Sequence, residues 1–124
     1  MRRRHRHGIS TSVDGATGFL ELHGEVDITG VAAIEGAFLD LVDRGVACIV
    51  VDFSDAAFAD SKAIEAVMRG GQSARRAGAE VVAGGARGSV ARALEVCGLE
   101  HAMAVYASRS AALAATGASG GGGQ

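Results

Sequence analysis

The spacing of apolar residues predicts a hairpin at the start of the chain, followed by alternating helices and strands. Residues 9–13 and 19–23 are predicted to form short strands, and between them lies Asp14-Gly15, a pair that is typical of a hairpin turn. A near-continuous apolar stretch at 46–53 is typical of a strand that is covered on both faces. The pattern therefore predicts a sheet whose central strand is buried.

Helical spacing appears between the predicted strands. Ile34, Phe38 and Leu41 recur three or four residues apart, and Gly45 ends the helix that they predict. Further helices are predicted from Ser61 to a stop at Gly78, at 89–97 with a stop at Gly98, and at 108–115. Further strands are predicted at 79–83 and 103–106. A hairpin followed by repeated helix–strand units predicts an α/β fold with a mixed, mostly parallel sheet of four to five strands and packed helices.

Two adjacent glycines, Gly70 and Gly71, are unusual inside a predicted helix, because each costs about 1 kcal/mol relative to alanine. They indicate either a kink or a close contact with a neighbouring element. The ends of the chain differ in composition from the middle: residues 1–8 carry a basic run, and residues 117–124 are rich in glycine and serine. We predict disordered tails on either side of a single domain at 9–116.

Composition and charge exclude several classes of protein. The formal net charge of −2 gives no overall field that would favour nucleic acid. No apolar run reaches the roughly 18 residues that a membrane span needs, and no apolar segment follows the basic N-terminus as in a signal peptide. Cys48 and Cys97 are too few for a disulfide framework. We expect a cytoplasmic protein that neither inserts into a membrane nor binds nucleic acid.

Residue patterns that carry catalysis are scarce. The four histidines lack the spacing of a zinc site and an obvious serine or aspartate partner. Residues 84–89 lie between a predicted strand and a predicted helix, as a phosphate-binding loop would, but they lack its lysine and its glycine spacing. We therefore expect no enzyme activity, metal or cofactor. A nucleotide-binding loop at 84–89 is the alternative that an enzyme would require.

Asp60 and Ser61 stand at a corner between a predicted strand and a predicted helix. A helix N-terminus offers unpaired N–H groups and a partial positive charge, so a phosphate is stabilised there. A serine hydroxyl at this corner is either a regulatory phosphorylation site or an ordinary N-cap.

Four short segments carry motifs in a fixed order. They are Leu22-His23-Gly24-Glu25-Val26-Asp27, Val50-Val51-Asp52-Phe53-Ser54, Phe58-Ala59-Asp60-Ser61, and Ser89-Val90-Ala91-Arg92-Ala93-Leu94 followed by Gly98-Leu99. In order and spacing they resemble the STAS domains, and within that family the bacterial anti-sigma-factor antagonists. The resemblance covers about residues 18–114 and implies a STAS-type α/β fold.

The resemblance also implies a switch between partners that phosphorylation controls. Ser61 would be the phosphoacceptor, and Glu25, Asp27, Asp60 and Lys62 would join it in binding the partner. The unphosphorylated protein would bind an anti-sigma factor that is also a serine kinase, and so release a sigma factor. The kinase would use ATP and Mg²⁺, and a PP2C-type phosphatase would reset the switch. The domain itself would catalyse nothing.

The chain departs from the family pattern D-S-[ST]-G at Lys62 and Ala63. Ala63 adds a Cβ where the family has glycine, which would hinder a kinase backbone that must approach closely. Lys62 is either a solvated residue of the first helical turn or a partner for phosphoserine or for an acidic group. These departures keep a second function open, that of a non-phosphorylated STAS accessory subunit of a lipid-transporting ABC system.

Overall fold

The computed structural model describes residues 4–117, with the backbone alone for residues 4–6. Its sheet contains six strands, which lie side by side in chain order. They are β1 (Arg4–Arg6), β2 (Ile9–Asp14), β3 (Thr17–Val26), β4 (Cys48–Ala59), β5 (Glu80–Gly84) and β6 (Ala104–Tyr106). The first two pairings are antiparallel and the other three are parallel. The predicted α/β fold with a mixed, mostly parallel sheet is confirmed.

The sixth strand was not among the four to five predicted. Residues 4–6 pair with β2 although they fall within the tail that was predicted to be disordered. Their arginine and histidine side chains give no apolar alternation, so the sequence pattern contains no signal for a strand there. Residues 1–3 and 118–124 lie outside the described residues, and the predicted domain boundaries stay a prediction.

Four helices connect or follow the strands. They are α1 (Val31–Asp43), α2 (Ser61–Arg76), α3 (Gly88–Cys97) and α4 (Arg109–Ala114), with short 3₁₀ turns at Ile28–Gly30 and Leu99–His101. Two predicted stops are confirmed: Gly45 and Gly98 follow α1 and α3 with φ of +77° and +79°. Glycine adopts this left-handed conformation without the steric cost that a side chain would bring.

The core lies on both faces of the sheet. On one face, Ile49, Val51 and Phe53 pack with α1, α2 and α3, whereas Val50 faces the other side together with Ala112 of α4. Successive side chains of a strand point to opposite faces, so a strand buried on both sides has no polar alternation. This explains the continuous apolar stretch that the sequence shows in the first half of β4.

The glycine pair in α2 makes close contacts with its neighbours. α2 continues through both residues as one helix. A Cβ on Gly70 would lie 2.2 Å from Phe38 Cδ2, and one on Gly71 would lie 2.5 Å from Met103 Cε. Real Cβ atoms do not approach other atoms this closely, so the two glycines let α1 and the segment before β6 pack directly against the α2 backbone. Of the two explanations left open by the sequence, the structure supports close contact.

The central strand β4 is longer than the sequence predicts. The predicted strand ended at Phe53, but β4 continues to Ala59, and its last residues pair with the end of β3. The pairing shifts register twice, and Gly24 of β3 has a φ of +66° near the second shift. The extension places Asp55 within a strand. Residues 54–59 are mostly small, polar or exposed, so the sequence pattern did not predict this part of β4.

Candidate functional site

The ends of β3 and β4 bring the predicted site residues to one edge of the sheet. The strands are parallel, and Val26 pairs with Ala59. The residues that follow them, Asp27 and Asp60, therefore emerge side by side, and the Asp60 N–H donates a 3.1 Å hydrogen bond to the Val26 carbonyl. Glu25, exposed at the end of β3, belongs to the same edge.

Asp60, and not Ser61, is the N-cap of α2. Asp60 has an extended backbone conformation, and its Oδ1 accepts a 2.9 Å hydrogen bond from the Ala63 N–H. Ser61 is the first residue of the helix and is exposed. Within residues 4–117, its hydroxyl has no hydrogen-bond partner. Since the capping role is already filled, the Ser61 hydroxyl is available for modification or for contact with a partner.

Asp27 is held in a similar way at the start of the neighbouring 3₁₀ turn. Its Oδ1 accepts hydrogen bonds from the Thr29 hydroxyl at 2.6 Å and from the Thr29 N–H at 3.0 Å. The hydroxyl bond is the largest cause, and the backbone bond the next, of a pKa of Asp27 below its ordinary value. Asp27 therefore presents a fixed negative charge at the surface at neutral pH.

The two residues that depart from the family pattern face different surroundings. The Lys62 side chain is 62% exposed, and its Nζ lies 3.7 Å from Glu65 Oε1. Ala63 is completely buried in the core. Its Cβ therefore points away from any molecule that approaches the corner, and the expected hindrance does not arise on this surface. Lys62 is a surface cation in the first turn of α2, paired within its own helix.

Two apolar side chains beside the serine were not predicted as site residues. Ile28 is 62% exposed in the 3₁₀ turn, and Phe58 is 47% exposed near the end of β4. A cavity of about 540 Å³ lies between this turn and the start of α2, and Ile28 and Lys62 both line it. Phe58 alternates with the buried Ala59, so strand periodicity in a longer β4 would have revealed it. Ile28 lies in an irregular turn, for which no periodicity exists.

We call these residues together the Ser61 patch. It consists of Glu25, Asp27, Ile28, Phe58, Asp60, Ser61 and Lys62. The patch combines exposed apolar side chains, three carboxylates and one exposed hydroxyl. Exposed apolar groups surrounded by polar ones are typical of a surface that binds another protein.

A cluster of buried charges lies outside this patch, on the α4 side of the sheet. Arg109 Nη1 lies 2.5 Å from Glu21 Oε2 and 2.9 Å from Asp52 Oδ2, and its guanidinium lies 4.1 Å from the centre of the Phe19 ring. Burial alone would raise the pKa of Asp52, but hydrogen bonds from Ser54 and then from Arg109 lower it below its ordinary value. This cluster links α4 to β3 and β4.

His23 has a serine and an aspartate near it, contrary to the sequence expectation. Its Nε2 lies 2.8 Å from Ser10 Oγ, and its Nδ1 lies 3.4 Å from Asp55 Oδ2. Ser10, however, is only 1% exposed, and its hydroxyl donates a hydrogen bond to Glu21. With its oxygen buried out of reach of a substrate, Ser10 is not placed to act as a nucleophile.

The glycine-rich loop at 84–89 serves packing within the protein. A Cβ on Gly84 would lie 2.4 Å from the Ser108 carbonyl, and one on Gly85 would lie 2.3 Å from Ser54 Oγ. These contacts account for both glycines without a phosphate. The alternative of a nucleotide-binding loop therefore receives no support from the loop geometry.

Cys48 and Cys97 are both free thiols. Within residues 4–117, no group of three or more histidine, cysteine or acidic side chains is arranged to hold a metal ion. Over the same residues, no helix combines the length and apolar character needed to cross a membrane.

The fold and the site together define a small α/β domain with a patch of exposed apolar and charged residues at the ends of two parallel strands. Residues 9–115 match the family described as "Mlab, STAS domain". The chain therefore belongs to the STAS domain family, and the resemblance seen in its motifs is confirmed. A search of curated proteins gave no match.

Solved structures of other STAS-like proteins share this fold. An anti-sigma factor antagonist from Mycobacterium paratuberculosis has a TM-score of 0.71 at 23% identity, over 86% of this chain and 91% of that one. SpoIIAA from Bacillus, in its phosphorylated form, has a TM-score of 0.62 at 18% identity, over 83% and 95%. A sulfate transporter family protein from Wolinella succinogenes has a TM-score of 0.70 at 18% identity, over 83% and 86%. At these identities the likeness establishes the fold.

Proposed function

We propose that this protein is an anti-sigma-factor antagonist that phosphorylation of Ser61 switches off. In its unphosphorylated state it binds an anti-sigma factor that is also a serine kinase, and a sigma factor is released. The observation that carries the proposal is the division of roles at the corner: Asp60 caps α2, which leaves the Ser61 hydroxyl exposed and unbonded within the described chain. The antagonists and the phosphorylated SpoIIAA among its structural neighbours support the same role.

The charges of the Ser61 patch explain how one phosphate would release the partner. A phosphate adds a charge of about −1.5 to −2 beside Asp60 and near Asp27. At about 4 Å, each like-charge pair costs roughly 1 kcal/mol in water and about 4 kcal/mol at an effective dielectric constant near 20. A partner that covers Ile28 and Phe58 excludes water and lowers the effective dielectric constant, so the cost of each like-charge pair approaches the higher of the two values, about 4 kcal/mol. The expected loss of affinity is about ten- to thousandfold.

The free protein would tolerate the same phosphate. Ser61 is the first residue of α2, where the helix dipole favours negative charge, and the neighbouring Lys62 is an exposed cation. The phosphate would therefore alter binding with little effect on the fold. In this proposal ATP and Mg²⁺ are used by the partner kinase, a PP2C-type phosphatase removes the phosphate, and the domain carries neither cofactor nor catalytic residue.

The test is to incubate the protein with candidate anti-sigma kinases from its host and with Mg-ATP, and then to locate any added phosphate by mass spectrometry. We expect one phosphate on Ser61 and loss of kinase binding after its addition. Ser61→Ala should bind without being labelled, and Ser61→Asp should bind about ten- to thousandfold more weakly. Ser89, an exposed serine in the first turn of α3, provides the matched control. Labelling of Ser61→Ala at an undiminished level would refute the site.

A second function is favoured by one observation, the presence of Lys62 where the family pattern has serine or threonine. Its ammonium group pairs with Glu65 within α2. A phosphorylation-independent accessory subunit of a lipid-transporting ABC system would need a stable surface here and no phosphoacceptor. Binding to a transporter ATPase subunit, unaffected by Ser61→Asp, would establish this function in place of the switch.

A further inference from the structure

A groove of about 440 Å³ runs between α1 and α2. On its α2 side, Arg69 is followed by residues with very small side chains: Gly70, Ser73, Ala74 and the C-cap residue Ala77. Leu39 of α1 stands at its rim and is 61% exposed. The surface therefore carries an exposed leucine directly beside a depression that could accommodate an apolar side chain of another molecule.

The two charged residues that line this groove have opposite signs. Glu35 belongs to α1, whereas Arg69 belongs to α2. Glu35 and Arg69 pair across the groove at 3.1 Å and are about half exposed. Under a twofold rotation, α1 of one molecule would face α2 of another, so acidic residues would meet basic ones and each Leu39 would meet small residues.

We propose that two copies of this chain associate through the α1–α2 groove, with Leu39 of each copy seated against Ser73 and Ala77 of the other. A twofold interface uses the same patch on both molecules, which requires the self-complementarity described above. Ser73 lies twelve residues after Ser61, which is about 18 Å along the helix. The contact of Leu39 therefore lies about three helical turns from Ser61, while Arg69 lines both this groove and the cavity beside the Ser61 patch. This inference does not depend on the proposed function.

Analytical ultracentrifugation of the full chain over a wide range of concentrations tests the proposal. We expect the mass to rise from 12.4 kDa to twice that value. Leu39→Arg removes the apolar contact twice in each dimer and should raise the dissociation constant about a hundredfold. Val96→Arg is the matched control, because Val96 is 80% exposed on α3 and lies outside the groove. The melting temperature of each variant verifies that it is folded.

Charge complementation makes the test specific to this interface. Glu35→Arg alone and Arg69→Glu alone each place like charges across the homodimer, so both variants should be monomeric. An equal mixture should form a heterodimer, because each altered residue then faces its opposite charge. A wild-type monomer at every concentration would overturn the proposal, as would a dimer that Leu39→Arg leaves intact.

Discussion

Replacing Arg109 by methionine tests whether the buried carboxylates of β3 and β4 depend on one guanidinium from α4. The side chains of Glu21 and Asp52 are 8% and 9% exposed, and Arg109 Nη1 lies within 2.9 Å of both. Methionine retains an apolar stem beside Phe19 but removes the charge. The two carboxylates would then stay buried without the cation that α4 supplies.

The expected loss of stability follows from the burial of this cluster. Removing one partner of a buried ion pair costs about 3–5 kcal/mol. The Arg109 side chain is 38% exposed, so water screens part of its charge, and we expect about 2–4 kcal/mol. A domain of this size is stable by about 5–15 kcal/mol, and the variant should therefore fold but unfold at a distinctly lower urea concentration.

The pH dependence of this loss has a definite sign. In the wild-type protein the pKa of Asp52 lies below 3.8, so its stabilisation is complete well above that value and disappears as the pH falls through the lowered pKa. Without Arg109, the pKa of Asp52 should rise, because its burial is then opposed by the hydrogen bonds from Ser54 alone. Protonation of Asp52 in acid would then remove a buried charge from the variant. The stability difference between the two proteins should be largest at neutral pH and should shrink as the pH approaches about 4.

Urea unfolding at a series of pH values measures both the size and the sign of this effect. Arg92→Met is the control, because Arg92 is exposed on α3 and its replacement should change the stability by less than about 0.5 kcal/mol. A loss below about 1 kcal/mol at neutral pH for Arg109→Met would refute the reasoning, since a buried pair costs more than that. A loss that stays constant from neutral to acidic pH would refute it as well.

Three further predictions concern the fold and the Ser61 patch. Gly70→Ala should lower the melting temperature, because the new Cβ would lie 2.2 Å from Phe38. Gly36→Ala, with open space around the residue, should instead raise the free energy of unfolding by about 0.5–1 kcal/mol. If both variants shifted the melting temperature in the same direction, this explanation would be wrong. Asp60→Ala should cost about 1 kcal/mol in urea unfolding and Asp60→Asn much less; equal losses would mean that the cap is unimportant. Phe58→Ser should weaken anti-sigma-factor binding at least about tenfold in calorimetric titration at unchanged stability; unchanged affinity would place the partner elsewhere.

The order of helices and strands was predictable because its signals are local. Ile49 and Val50 point to opposite faces of the sheet and are both fully buried, which is why an uninterrupted apolar stretch indicated a covered strand. Gly45 and Gly98 adopt the left-handed conformation that ends helices, and each was predicted from its position after a periodic segment. Each of these features can be recognised from a few residues that are neighbours in the sequence.

Contacts between distant residues were not predictable in the same way. Arg109 follows Glu21 by 88 residues, and only the folded sheet shows that they pair. The corner at the start of α2 was evident from the sequence, but aspartate and serine are both good N-caps, so the pattern could not decide between Asp60 and Ser61. The burial of Ala63 was within reach, because it lies one helical turn before the buried Val67.

The cap on α2 connects helix stability with the proposed switch. The Asp60 carboxylate is fixed by its hydrogen bond to the helix backbone, so it cannot move away from a phosphate on Ser61 without losing a cap worth about 1 kcal/mol. Asp27 is fixed at the neighbouring turn by two hydrogen bonds and stays ionised. If Ser61 is phosphorylated as proposed, repulsion from both carboxylates would direct the phosphate outward, toward the surface where Ile28 and Phe58 are exposed. A partner docked on those side chains would meet the new charge directly, so phosphorylation would change binding without a second conformation of the sheet.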